Sequence, residues 1–126
     1  RMYLFLNTSE NGQLSFSLEN DDYLYMSRYD GSVNNSLAPT FGDLDGDGDE
    51  DLVVGDFSGK LFYFENIAGP NQPFNFNTEV YPYFDIDIGQ FAIPDIVDVN
   101  MDGLSDLLIG ERNGNSNGSG ACGNIN

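Results

Sequence analysis

Short apolar runs separated by polar turns make up most of the chain. "RMYLFLN" at 1–7, "DLVVGD" at 51–56 and "KLFYFEN" at 60–66 are apolar at successive positions rather than at alternate ones. A strand with one wet face alternates between apolar and polar residues, whereas a strand buried on both faces does not. No stretch combines a 3.6-residue apolar period with helix caps. The pattern therefore predicts an all-β fold whose strands are buried on both faces.

The chain repeats itself. "PTFGDLDGDGDEDLVVGD", which starts at Pro39, aligns without a gap with "PDIVDVNMDGLSDLLIGE", which starts at Pro94. A weaker match relates "RMYLFLN" to "KLFYFEN", and "FSLENDDY" from Phe16 to "FNFNTEVY" from Phe74. The offsets of 55 to 59 residues indicate one unit repeated with small loop insertions and deletions. A period of this length is typical of a propeller-like or solenoid array.

Each repeat is predicted to contain four strands. In the central repeat these are "PTFGD", "DLVVGD", "KLFYFEN" and "PFNFNTEVY", with a tight turn at Ser58 and Gly59 between the second and the third. Four antiparallel strands in each unit describe a β-propeller blade. Continuous apolar strands fit blades that stack face to face, and the alternative is a β-sandwich core. The repeat favours the propeller, with about two blades present.

The repeat also predicts how the chain is divided. We expect the last strands of one blade at 1–38, a full blade with an acidic loop at 39–93, the first strands of the next blade with a second acidic loop at 94–112, and an irregular tail or loop at 113–126. Two blades cannot close a ring and would leave open edges and apolar faces. We therefore expect the chain to belong to a larger protein whose remaining blades are its partners.

The two acidic loops share the pattern Asp-x-Asp/Asn-x-Asp-Gly-x-x-Asp. Oxygen donors stand at positions 1, 3, 5 and 9, and position 7 can offer its carbonyl. Calcium takes six to eight oxygen ligands at about 2.3–2.6 Å. Glycine at position 6, which is Gly48 or Gly103, permits the backbone turn that such a curled loop requires. Crowded carboxylates repel one another unless a cation lies between them.

Three alternatives compete with calcium in a strand-loop-strand site. An EF-hand needs a bidentate Glu at position 12, where this chain has Val54 and Ile109. Magnesium prefers a smaller octahedral shell with retained waters. A solvated acidic turn needs no ion at all. Two such loops in register, at the spacing of the repeat, favour two calcium sites.

Composition excludes several classes of function. The formal net charge is −17, with four Lys and Arg residues in total, so the chain should repel nucleic acid and anionic membrane surfaces. There is no His, which argues against a zinc site and against a Ser-His-Asp enzyme. No apolar run approaches the roughly 20 residues that a transmembrane helix needs. The expected counter-partners are cations or basic surfaces of other proteins.

With these motifs in view, the chain resembles the FG-GAP/VCBS repeat family, the calcium-loop β-propeller repeats of integrin alpha subunits and of many bacterial surface proteins. "FGDLDGDGDEDLVVGD" at 41–56 and "DVNMDGLSDLLIG" at 98–110 both match the central motif of that family, and the likeness covers most of 1–114. The resemblance implies a propeller of about seven blades, calcium between the first two strands of a blade, and an extracellular location, either secreted or at the cell surface.

The resemblance also implies a ligand set for each loop. The implied ligands are Asp43, Asp45, Asp47, Asp49 through its carbonyl, and Asp51 in the first loop, and Asp98, Asn100, Asp102, Leu104 through its carbonyl, and Asp106 in the second.

Two hypotheses make the protein a binding module. In the first it is a non-enzymatic adhesion or protein–protein interaction module whose loops are fixed by calcium. In the second it is a lectin-type propeller that binds a glycan through the stretch 21–31, which contains Tyr23, Tyr25, Arg28 and Tyr29. The alternative for that stretch is a strand with alternating core aromatic residues, followed by a turn.

A third hypothesis is an enzyme. Asp85 and Asp87 in "FDIDIG" are a carboxylate pair of the kind that glycosidases use. The alternation of Phe84, Ile86 and Ile88 instead places both aspartates on the exposed face of a strand. We expect no catalysis within this chain, although the propeller could accompany an enzyme domain in a longer protein.

Overall fold

The computed structural model describes residues 1–29 and 36–112. The predicted all-β fold is confirmed, with seven strands and two short 3-10 helices in the part of the chain that is described. The strands are β1 (Leu4–Asn7), β2 (Phe16–Asn20), β3 (Ala38–Gly42), β4 (Asp51–Gly55), β5 (Leu61–Phe64), β6 (Ala92–Val97) and β7 (Asp106–Glu111), and the 3-10 helices are η1 (Tyr23–Tyr29) and η2 (Tyr83–Asp85). The predicted tail at 113–126 lies outside the described residues.

The strands form three antiparallel sheets that follow one another along the chain: β1–β2, then β3–β4–β5, then β6–β7. The β3–β4 hairpin pairs Gly42 with Asp51 across the first acidic loop. The β6–β7 hairpin pairs Val97 with Asp106 across the second. These pairs correspond at the repeat offset of 55 residues, so the sequence repeat is also a repeat of strand register.

The middle sheet is buried on both faces, as its continuous apolar strands predict. Leu52, Val54, Phe62 and Phe64 pack on one side with Met2 and Met26 from the first part of the chain. On the opposite side, Val53 and Leu61 pack with Ala92 and with partly buried side chains of the third sheet. Two apolar cores therefore hold the repeats together, one on each face of the middle sheet.

The outer sheets present the same repeat positions without a covering layer. Tyr3 and Phe5 are the repeat counterparts of Phe62 and Phe64, yet they are 57% and 55% exposed. On the third sheet, Leu108 is the counterpart of the fully buried Val53 and is 58% exposed. Within residues 1–29 and 36–112, repeat positions that a neighbouring sheet covers are thus buried, and the equivalent positions that no described sheet covers are exposed.

The fourth strand predicted for the central blade is not continuous. The segment after β5 meets it at two isolated bridges, Tyr63 with Val80 and Asn66 with Phe76. Between these bridges the Asn77 side chain accepts a hydrogen bond from the N–H of Thr78 (2.8 Å). Such a local side-chain bond competes with the regular ladder, so only part of the segment pairs.

The strand considered for 21–31 is wrong for its described part, which forms η1. Leu24 and Tyr25 have φ values of 59° and 54°, a conformation that a β-strand cannot contain. The Asp22 carboxylate accepts hydrogen bonds from the backbone N–H and the hydroxyl of Ser27, which closes the turn. Met26 is consequently buried, whereas Tyr25 is exposed.

The strand predicted over "FDIDIG" is also wrong. Residues Tyr83–Asp85 form η2, and Phe84 has a φ of 51°. Ile86 and Ile88 do pack against the second core, but Phe84 is 79% exposed. The turn rotates Phe84 away from the face that a regular alternation would give it. None of the described helices is long and apolar enough to cross a membrane.

Candidate metal centre

The first acidic loop, between β3 and β4, folds around its own carboxylates. The Asp43 carboxylate accepts hydrogen bonds from the N–H groups of Gly46 (2.7 Å) and Gly48 (3.0 Å). Gly48 has a φ of 95°, which is left-handed backbone that glycine adopts without a steric penalty. The Asp45 carboxylate accepts from Asp47 N–H (3.1 Å) in the same way. These bonds curl the loop.

Asp51 anchors the loop to the sheet. It is the first residue of β4 and is fully buried. Its Oδ2 accepts a hydrogen bond from Leu44 N–H (3.1 Å), and its Oδ1 accepts one from Asn66 N–H (2.9 Å). The carboxylate at position 9 is therefore held by the loop on one side and by the chain after β5 on the other.

Three carboxylates converge. Asp43, Asp45 and Asp51 each offer one oxygen, and these atoms lie within 4.8 Å of one another. Two oxygens that bind one calcium ion at about 2.4 Å lie at most about 4.8 Å apart. Asp47 is not part of this close group. The spacing and the all-oxygen donor set fit a calcium ion, with the Asp49 carbonyl at position 7 as a further candidate.

No basic side chain among the described residues neutralises this group. The ion pairs there join Arg1 to Asp21 and Arg28 to Glu79. Burial raises the pKa of Asp45, and although the Asp47 N–H opposes this, the charges of Asp51, Asp47 and Asp43 raise it further. A cation at the centre of the group would reverse this repulsion.

Two tyrosines close the inner side of the cluster. Tyr63 and Tyr83 stack with their ring centroids 4.5 Å apart. Burial raises the pKa of Tyr63 far above its usual range, and the charge of Asp51 adds to the effect. The pKa of Tyr83 rises for the same reasons, burial first and then the charges of Asp51 and Asp45. Both phenols therefore stay neutral beside the carboxylates.

The second acidic loop repeats the hydrogen bonds of the first. Val99 N–H donates to Asp106 Oδ2 (2.9 Å), as Leu44 N–H does to Asp51. Gly103 N–H donates to Asp98 Oδ2 (2.8 Å), as Gly48 N–H does to Asp43. The matching bonds show that the two loops share one backbone design.

The second loop is nevertheless more open. Asp98, Asp102 and Asp106 do not form a group of three oxygens within 4.8 Å, and the Asn100 amide donates to Asp102 Oδ2 (3.0 Å). Met101 stands where the first loop has Gly46 and is 89% exposed, and the loop also exposes Asn100, Asp102 and Leu104. Of the two predicted sites, only the first has three carboxylates that lie close together.

Asn66 supports the site and was not identified from the sequence. It is buried, and its amide donates to the carbonyl of Glu50 (3.2 Å). Its Oδ1 accepts from the N–H groups of Ala68 (3.2 Å) and Asn75 (3.0 Å). The repeat contained a signal, because Asn66 aligns with Asn7, whose side chain accepts from Ser9 N–H in the same way.

The Asp49 side chain contacts the turn after β5 and does not belong to the group of three carboxylates. The sequence placed Asp49 in the ligand set through its carbonyl, but its carboxylate turns toward the 66–75 turn. Oδ2 accepts from Gly69 N–H (2.7 Å), while Oδ1 is buried without a hydrogen-bond partner. Burial raises the pKa of Asp49, and the charges of Asp47, Asp51 and Asp43 add to this against the Gly69 hydrogen bond.

The residues considered for other activities lie apart from this cluster. Arg28 and Tyr29 both contact the Glu79 carboxylate, through an ion pair and a hydrogen bond. Asp85 and Asp87 are exposed, at the end of η2 and just after it. Neither pair joins the three-carboxylate group.

Comparison with known proteins agrees with the geometry of the loops. The profile of the FG-GAP-like repeat family matches residues 43–109, which is more than half of the chain and includes both acidic loops. No curated protein and no solved structure matches the chain. The matched region contains both acidic loops, all of β4, β5 and β6, and the first part of β7. The chain therefore belongs to the FG-GAP-like repeat family.

Proposed function

We propose that the chain is a calcium-stabilised β-propeller module of a larger secreted or cell-surface protein, and that it acts in adhesion or protein–protein interaction. The observation that supports this most directly is the group formed by Asp43, Asp45 and Asp51, whose oxygens lie within 4.8 Å of one another with no basic side chain paired to them among the described residues. Membership of a repeat family supports the propeller, because repeats of this kind require neighbours.

The chain would bind the first ion through Asp43, Asp45, Asp47, the Asp49 carbonyl and Asp51, and the second through the equivalent positions of the second loop. When bound, calcium supplies positive charge to carboxylates that otherwise repel one another. The bound ion would also stabilise the sheet through Asp51, because Asp51 is the first residue of β4 and accepts the Asn66 hydrogen bond. The ion would thereby join the acidic loop, the middle sheet and the turn after β5.

The exposed apolar faces support the proposal that further blades are the immediate partners. Tyr3 and Phe5 on one outer face, and Leu108 on the other, occupy repeat positions that are buried in the middle sheet. An extracellular location agrees with the open second loop, because calcium modules outside cells function with dissociation constants of about 10⁻⁴ to 10⁻³ M.

We propose a binding role rather than a catalytic one. Asp85 and Asp87 are both exposed, whereas a carboxylic acid that serves as a general acid near neutral pH is usually held in an environment that raises its pKa. The buried carboxylates are instead tied to backbone N–H groups that shape loops and turns.

Thermal unfolding in calcium, in magnesium and in chelator tests the proposal. At a calcium concentration one hundred times the dissociation constant, each occupied site adds about 2.7 kcal/mol to the free energy of unfolding. The Tm should therefore rise with calcium and much less with magnesium. Asp45→Ala and Asn100→Ala, which alter position 3 of the first and second loop, should each reduce the rise, and the double variant should remove most of it.

Asp95→Asn is the matched control, because Asp95 is an exposed aspartate on β6 outside both loops. This variant should keep the full response to calcium. Two results would show that the loops are solvated turns. One is a Tm that calcium leaves unchanged, and the other is a calcium-dependent rise in Tm that is reduced equally in the control and in the loop variants.

A further inference from the structure

The first acidic loop begins at the contact between the middle and third sheets. Gly42, the last residue of β3, precedes the loop, and a Cβ added to it would lie 2.5 Å from Cγ2 of Ile96 on β6. The Leu44 side chain, at position 2 of the loop, packs against the apolar core between these two sheets, to which Ile96 also contributes. The third sheet therefore contacts the base of the loop, although it belongs to the next repeat.

Leu44 connects this core to the clustered carboxylates. Its backbone N–H donates a hydrogen bond to Asp51 Oδ2 (3.1 Å), and Asp51 is one of the three carboxylates that lie close together. The other two, Asp43 and Asp45, are the sequence neighbours of Leu44 on either side. A side chain that is held by packing fixes the backbone beside it. The contact of Leu44 with the core therefore limits the positions that all three carboxylates can take.

The second acidic loop has an exposed residue at the position of Leu44. This residue is Val99, whose N–H donates to Asp106 Oδ2 (2.9 Å) in the same way. The Val99 side chain is 63% exposed, whereas Leu44 is partly buried. Val97, the repeat counterpart of Gly42, is also exposed. Among the described residues, the loop whose position 2 is exposed is also the loop whose three carboxylates do not lie close together.

We propose that the sheet of the following repeat positions the calcium ligands of each loop, and that Leu44 is the positioning residue of the first. This inference rests on the proposed calcium site and concerns its regulation. Packing on Leu44 holds the first loop in its binding conformation, so the first site should bind calcium more tightly than the second. Coupling between two equilibria is reciprocal, so calcium in a loop also strengthens the contact with the following repeat. The second site would gain affinity when a further repeat packs on Val99.

Isothermal titration calorimetry with calcium tests the proposal, at a protein concentration where sedimentation velocity shows a monomer. The chain carries Asn100→Ala, which alters position 3 of the second loop, so that the heat reports on the first site. Leu44→Ala should raise the Kd of this site about tenfold, the lower end of the usual effect of an outer-shell change on metal affinity. Leu44→Met keeps an apolar side chain of similar volume and should restore most of the affinity.

Val99→Ala makes the equivalent change in the second loop. It is measured in the chain that carries Asp45→Ala, so that the heat reports on the second site. Because the Val99 side chain is largely exposed, its loss should change the Kd much less than Leu44→Ala does in the first loop. A second site too weak to titrate agrees with the expected order of affinities, and the β6 variants described next then decide the test.

Two variants on β6 test the third sheet itself. Ile96→Ala shortens a side chain of the core between the sheets and should raise the Kd of the first site severalfold, although Ile96 belongs to the next repeat. Ile93→Ala is the matched control, because Ile93 lies on the same strand and is 52% exposed, and it should leave this Kd unchanged. All titrations are run at a temperature at which circular dichroism shows each variant to be folded.

Three outcomes would overturn the proposal. Equal effects of Ile96→Ala and Ile93→Ala, or of Leu44→Ala and Val99→Ala on their own sites, would do so and leave the proposed calcium function standing. A Leu44→Ala chain whose Tm falls in chelator while its Kd for calcium is unchanged would make Leu44 a purely structural residue. Absence of calcium binding to the unmodified chain would overturn both this inference and the proposed function.

Discussion

Gly55 ends β4 at a close approach between the middle and third sheets. A Cβ added there would lie 2.0 Å from the carbonyl oxygen of Ala92 and 2.7 Å from Cδ of Pro94. Both neighbours belong to β6, so neither can move without a shift of the strand. The requirement for glycine here comes from the approach of two sheets rather than from a turn.

Replacement of Gly55 should therefore separate the sheets. We expect Gly55→Ala to lower the free energy of unfolding by about 3 kcal/mol, at the upper end of the usual range for overpacking. Chemical denaturation followed by circular dichroism measures this change. Gly110→Ala is the matched control, since Gly110 is the repeat counterpart and its added Cβ would meet only the Ile93 carbonyl oxygen at 3.8 Å. Equal losses in both variants would contradict the close-approach argument.

At the scale of secondary-structure elements, Asn66 joins three segments. Its amide contacts the end of the acidic loop at Glu50, its backbone N–H contacts Asp51 at the start of β4, and its Oδ1 closes the turn that leads to Asn75. The hairpin that contains the acidic loop and the turn after β5 are therefore connected through one buried side chain.

Asn66→Ala should loosen that connection. The substitution leaves the Ala68 and Asn75 N–H groups and the Glu50 carbonyl without their partner, and we expect it to lower the free energy of unfolding by about 2 kcal/mol. The repeat counterpart Asn7 is exposed, and its side chain accepts a hydrogen bond from Ser9 N–H, so Asn7→Ala should lower the free energy of unfolding by less than about 1 kcal/mol. Urea denaturation of the two variants makes the comparison, and the reverse order would refute it.

At the scale of the whole molecule, the sheets stack in one direction. Each sheet turns one set of repeat positions toward the sheet before it and another toward the sheet after it. The middle sheet buries both sets, whereas the first sheet exposes Tyr3 and Phe5 and the third exposes Leu108. The two outer faces correspond to the two sides of one interface, and such head-to-tail faces can pair between copies.

Residues 1–126 on their own should therefore self-associate as their concentration rises. Leu108→Ser should weaken this association, because it places a polar group on the face that corresponds to the buried Val53. Ile67→Ser is the matched control, since Ile67 has a similar exposure of 53% but lies after β5, outside the stacking faces. Sedimentation velocity measures the effect. A monomeric chain at all concentrations, or equal effects of the two substitutions, would contradict the stacking model.

By itself the sequence determined the strands that form the three sheets, the repeat and the two oxygen-donor loops. These features depend on residues that are close along the chain, as in Asp43 with Gly48 or Asp98 with Gly103, where side-chain type and spacing shape the loop directly. The continuous apolar runs likewise predicted that β4 and β5 would be buried on both faces, because burial on two faces requires apolar side chains at every position.

Only the tertiary structure decided which contacts join these parts. Asn66 meets Asp51 across 15 residues and Asp49 meets Gly69 across 20, distances over which hydrophobic periodicity carries no information. The turns at Leu24 and Phe84 depend on positive φ values that apolar residues rarely adopt, so a strand was the natural expectation there. The acidic loop and the turn after β5 pack together, and no local pattern encodes that packing.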